Sequence, residues 1–161
     1  MRAHDLAWRR MVRAGLVLGI GLGGFVDGIV LHQLLQWHNM LSAVTPPTTL
    51  VAMKYNMVWD GLFHAAMWIA CVAGVGLLFH AGRDNRAWSG RLLVGSMLTG
   101  WGAFNFVEGI VDHLVLRVHH VHPGDNELAW DLGFVAIGGL GLIALGVAIA
   151  RKAMPAGLRS A

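Results

Sequence analysis

The chain has 161 residues, of which 56% are hydrophobic and 13% charged, with a mean hydropathy of +0.59, whereas charged residues make up about a quarter of an average soluble domain. That balance excludes an ordinary soluble globule and predicts an all-α integral membrane protein, a four-helix bundle in which residues 1–161 form a single transmembrane domain. The net charge of +3 does not indicate nucleic acid, because the basic residues cluster at the ends of apolar runs as topology signals.

Residues 1–24 have the basic start and apolar run of a signal peptide but no small-x-small cleavage pattern, so this segment is expected to stay as the first span. Four apolar stretches, 15–37, 57–79, 92–116 and 128–150, are each long enough to cross about 30 Å of hydrocarbon. They predict helices at about 14–38, 56–80, 90–118 and 127–151. Ten of the twelve Lys and Arg residues flank one side: Arg2, Arg9, Arg10 and Arg13, then Arg83, Arg86 and Arg91, then Arg151, Lys152 and Arg159. The other side keeps only Lys54 and Arg117. This bias predicts cytoplasmic termini, with the 39–56 and 119–127 connections facing outward. Gly15, Gly19 and Gly23 are spaced for close helix packing, and Trp8, Trp37, Trp59, Trp88 and Trp130 read as interfacial anchors.

The second half of the chain repeats the first. Residues 25–38 read FVDGIVLHQLLQWH and residues 106–119 read FVEGIVDHLVLRVH, identical at eight of fourteen positions. WDGLF at 59–63 likewise matches WDLGF at 130–134. The repeat unit is a two-helix hairpin, with halves of about 14–80 and 90–151. Both copies would enter the membrane from the same side, giving a pseudo-twofold axis along its normal.

Seven of the nine histidines and seven of the nine acidic residues fall in the outward half. At about 1.5 Å rise per residue, Asp27 and Glu108 lie roughly 15 Å below the outer helix ends. Ionisable groups at that depth are costly, which marks a functional site. A transition-metal site is expected, with Asp27, His32, Asp60, His64, Glu108, Asp112 and His113 at its core and His38, His119 and Asp131 around them. Asp60 and His64, four apart, form the best local chelating pair, and Glu108, Asp112 and His119 share a stripe, as Asp27 does with His38. Asp27 and His32 are five apart, about 140° around a straight helix, and converge only through a π-bulge or with help from a neighbouring helix. Other readings exist for some of these residues. Asp60 and Asp131 fall in first turns, where a carboxylate complements the helix dipole, and His38, His119, His120 and His122 can sit solvated at the interface. The single Cys71 rules out a thiolate cluster, leaving zinc, copper or iron held by His and carboxylate.

The segments GFVDGIVLHQLLQWHNMLS (24–42), WDGLFHA (59–65), NFVEGIVDHLVLRVHHVHPG (105–124) and WDLGF (130–134) resemble domain of unknown function 2243, a family of predicted bacterial membrane proteins. The resemblance spans all four helices and implies no established activity. Through relatives associated with cytochrome oxidase assembly, it implies a respiratory-complex or metal-delivery partner. The expected function is metal handling or a membrane metalloenzyme, with binding favoured over catalysis because no nucleophile or substrate pocket accompanies the ligands. A proton- or cation-coupled transporter using Asp27 and Glu108 is the runner-up, and a haem bundle with axial His32 and His113 the third reading. The expected partners are the lipid bilayer and, as an open alternative, a second copy of the chain, with no nucleic acid.

Overall fold

The computed structural model describes residues 3–83 and 88–153, with side chains from Leu6 onward. Arg2, Arg86 and Arg159, which contribute to the charge bias, lie outside the described residues. The described residues form four helical rods. The first is α1 (Ala3–Val26), which continues as π1 (Asp27–Leu34), and the second is α2 (Leu50–Gly82). The third joins α3 (Gly90–Glu108) to π2 (Gly109–Val115), and the fourth joins α4 (Glu127–Gly133), π3 (Phe134–Gly141) and α5 (Leu142–Ala153). The all-α, four-helix expectation holds. Among the described residues, three rods are long and apolar enough to cross a membrane: Leu6–Leu34, Leu50–Gly82 and Glu127–Ala153. The third rod is not among them, because Ser96, Thr99, Asn105, Glu108 and its glycines dilute its apolar content.

α1 and α3 cross at the centre, with α2 packed on α1, and π3 and α5 packed on α3. The central crossing is close because glycines remove the side chains that would hold the backbones apart. A Cβ at Gly19 would run into the Met97 backbone, and one at Gly100 into the Leu16 backbone. Such small-residue contacts replace the hydrophobic drive that lipid does not provide. The flanking α2 presents Val51, Trp68 and Phe79 outward, as a lipid-facing helix would. At the end of the bundle away from the buried histidines, Ala7, Trp8, Met11, Ala81, Leu92 and Ala150 form a closed apolar cluster. Trp8 is 8% exposed. It is a core residue rather than the interfacial anchor its position in the sequence suggests.

The matched segments share one local geometry. In the first, Leu35 N–H donates to Val30 O (2.8 Å) and Trp37 N–H to Leu31 O (3.0 Å); in the second, Leu116 N–H donates to Val111 O (2.8 Å) and Val118 N–H to Asp112 O (3.0 Å). Between these bonds Gln36 (φ 51°) and Arg117 (φ 50°) adopt the left-handed conformation, which costs a non-glycine residue about 1–2 kcal/mol. Each wide turn ends in a reversal. The first rod therefore stops at Leu34 rather than near residue 38, and the third at Val115 rather than near 118. α2 starts at Leu50 rather than near 56, because the Thr49 side chain accepts Ala52 N–H and caps the helix. The two connections then interlock, with Ala43 N–H donating to Val118 O (3.0 Å).

Candidate metal centre

In a π-helix, i→i+5 hydrogen bonds stack residues five apart one turn above another. That winding brings His32 Nε2 to 3.3 Å from Asp27 Oδ2 and His113 Nε2 to 2.8 Å from Glu108 Oε1. The other nitrogen of each ring meets a carboxylate from the WD segments. His32 Nδ1–H donates to Asp60 Oδ1 (3.0 Å), and His113 Nδ1 lies 3.5 Å from Asp131 Oδ1. The carboxylates are themselves held. Asp60 accepts from Met40 N (2.9 Å) and Asn39 Nδ2 (2.8 Å), while Asp131 accepts from Val121 N (2.9 Å) and His120 Nδ1 (2.7 Å).

The reversals after π1 and π2 return His38 and His119 to the same interior. Their rings stack at 4.7 Å with an interplanar angle of 11°. His32 lies 4.4 Å from His38, and His113 lies 4.7 Å from His119, centroid to centroid. All four imidazoles are at most 3% exposed. His38 Nδ1 faces Val121 O (2.9 Å) and His119 Nδ1 faces Met40 O (3.1 Å). A carbonyl only accepts, so Nδ1 carries the proton in both rings and Nε2 carries the lone pair when the ring is neutral. Burial, with His119 and His32 beside it, holds the His38 imidazole, which lies in the connection after π1, well below its ordinary pKa. That ring is neutral.

The inward atoms are poorly matched to one another. His119 Nε2 lies 3.0 Å from Glu108 Oε1, so in the neutral ring two lone pairs face each other. His32 Nε2 and His113 Nε2 face the carboxylates of Asp27 and Glu108, and among the described residues His38 Nε2, Asp27 Oδ1 and Glu108 Oε2 are buried without a hydrogen-bond partner. Buried acceptors in that state cost about 1–3 kcal/mol each, and more when charged. Among the described residues, two sets bring ligand atoms within 4.8 Å of one another, His32–His38–His119 and Glu108–His113–His119. Either can hold a metal ion. They share His119, whose single inward nitrogen can serve only one ion.

The other expected ligands are placed differently. His64 does not pair with Asp60. It stacks on Phe25 (5.9 Å), and its Nε2 lies where a Cβ on residue 28 would be, so Gly28 makes room for it. Asp112 makes no hydrogen bond or ion pair among the described residues; it lines a cavity of about 460 Å³ with Asp27 and Glu108. Asp60 and Asp131 brace imidazoles from behind. The residues that hold those braces, Asn39 and His120, went unnoticed in the sequence as site residues, as did Asn56, which ties the first connection down through Leu41 N (3.1 Å) and Thr45 O (2.8 Å). The signal was present: Asn39 and His120 occupy matching positions after the repeated histidines.

No curated protein and no solved structure matches the chain. The family model described as predicted membrane protein (DUF2243) matches residues 14–153, a range that includes every side chain of the cluster. The chain therefore belongs to the domain of unknown function 2243 family of predicted membrane proteins.

Proposed function

We propose that the protein holds one transition-metal ion at the meeting point of His32, His38, His113, His119 and Glu108, with Asp27 alongside. The observation that carries this reading is the orientation of His38 and His119. Each commits its Nδ1–H to a backbone carbonyl and turns Nε2 inward, the arrangement by which proteins fix a metal-ligating imidazole. Behind His32, Asp60 plays the same part as a carboxylate. A divalent cation would relieve the opposed lone pairs of His119 and Glu108 and neutralise the buried carboxylates, which lipid surroundings make costly to leave uncompensated. Nitrogen and oxygen donors without thiolate suit zinc, copper(II) or iron.

The bundle around this centre is read as four spans in two hairpin repeats about an axis along the membrane normal. Both termini would be cytoplasmic in a bacterial inner membrane, with the metal in the outer half. Its use is metal handling. Elemental analysis of protein purified without a His-tag tests the centre. Substoichiometric or no metal in the wild type would reject it. His38→Ala, His113→Ala and His119→Ala should each lower metal content, whereas His64→Ala and His80→Ala should leave it unchanged. Equal loss in His64→Ala would show that the ligand set is wrong.

A further inference from the structure

α1 packs on α2 through small and apolar residues, Leu18 against Gly74, and Ala7 and Met11 in one cluster with Ala81. The residues beside that seam are mostly basic. Arg10 and Arg13 on α1, Leu77 and His80 on α2, and Arg83 just after α2 line a cavity of about 490 Å³. All five are exposed. From Arg13 to Leu34 the first rod rises about 30 Å, the thickness of the hydrocarbon core of a bilayer, so the cavity opens at the level of the lipid headgroups. It shares no residue with the metal centre, and the two readings stand or fall separately.

A bias of basic residues toward one end of the spans does not require three guanidinium groups from two rods to converge. Arg9, Arg91 and Arg151 carry the same charge at the same end without joining the wall. Arg10 and Arg13, three apart, are like charges on one helix face, a destabilising arrangement. Among the described residues no carboxylate lines the cavity or pairs with Arg10, Arg13 or Arg83. An anion would relieve that repulsion. Arginine offers a planar fork of donors that meets phosphate oxygens two at a time, and basic pockets between transmembrane helices suit anionic headgroups. We propose that the cavity binds the phosphate of an anionic phospholipid from the leaflet at this end. Leu77 in the wall, with Val72 and Val75 deeper along α2, is an exposed apolar residue, and this strip gives the acyl chains a surface that a free phosphate would not use.

The test is native mass spectrometry of the full-length protein in detergent, titrated with equal amounts of phosphatidylglycerol and phosphatidylcholine of the same chain length. Phosphatidylglycerol should be retained in preference, at least about fivefold over the zwitterionic lipid. Arg10→Gln, Arg13→Gln and Arg83→Gln should each weaken its binding about fivefold, the factor that one basic residue contributes toward an anionic lipid. Arg91→Gln removes the same charge at the same end without touching the wall and should bind as wild type does. All four arginines are exposed, so the variants should melt with the wild type, and the wild-type comparison of the two lipids decides the matter even where a variant melts early. Equal retention of both lipids would overturn the proposal. Equal losses in Arg91→Gln and Arg13→Gln would do so too, because diffuse charge attraction would then account for the binding. Inorganic phosphate, compared with acetate at equal ionic strength so that screening is matched, should leave the lipid bound; displacement by phosphate would reject the lipid and assign the cavity to a soluble phosphate.

Discussion

Asp60 touches no inward-facing atom of the cluster, yet replacing it with asparagine should weaken metal binding. Its Oδ1 receives His32 Nδ1–H at 3.0 Å and Met40 N–H at 2.9 Å, and its Oδ2 receives Asn39 Nδ2 at 2.8 Å. In Asp60→Asn the carbonyl oxygen can keep the first two bonds, and Asn39 can turn its amide to offer oxygen to the new NH₂ group. The geometry survives and the charge does not. A charge-assisted bond is about twice as strong as a neutral one, so His32 loses basicity and positional restraint together. Metal affinity should fall about 10–100-fold, as for other such braces, which is about 1.4–2.7 kcal/mol. Competition against a chromophoric chelator, on protein in detergent at fixed pH, measures this directly. Asp112→Asn is the matched control, removing a nearby carboxylate that braces nothing. Equal losses in the two variants would mean that only net charge matters, and unchanged affinity in folded Asp60→Asn would reduce Asp60 to a staple for the first connection.

Three further outcomes follow from the fold. Gly100→Leu should destabilise the detergent-solubilised protein by at least about 1–3 kcal/mol, the usual range for overpacking, because its side chain must displace the Leu16 backbone; Gly76→Leu, where a Cβ meets nothing within 4 Å, should melt like wild type. Gln36→Gly and Arg117→Gly should each stabilise slightly, by less than about 1 kcal/mol, since relief of the left-handed conformation exceeds glycine's entropic cost, and neither should change metal content; a lower melting temperature in both would place an unrecognised contact at these residues. A reporter fused after Ala161 should be active in the cytoplasm, and activity only on the outer side would reverse the assigned orientation.

The sequence by itself determined the class of protein and the neighbourhood of its site. Apolar run lengths specify helices long enough for a bilayer, and burial of ionisable groups is so costly in lipid that matched pairs such as Asp27 with Glu108 and His32 with His113 stand out without coordinates. Even the need for π-winding between Asp27 and His32 was legible, because five residues of α-helix leave them on different faces. Which histidines join the cluster was decided by tertiary structure. Counting 100° per residue places His38 and His119 on helical stripes, but the left-handed turns at Gln36 and Arg117 end the helices first and fold both rings back into the interior. The same count pairs His64 with Asp60, yet Asp60 is taken by His32 and the returning connection, and His64 is drawn into the space left by Gly28. Helical periodicity is a property of one segment. These reversals and pairings depend on the two connections closing over each other, with His38 reaching Val121 and His119 reaching Met40, and contacts between residues so far apart in the chain leave no local pattern to read.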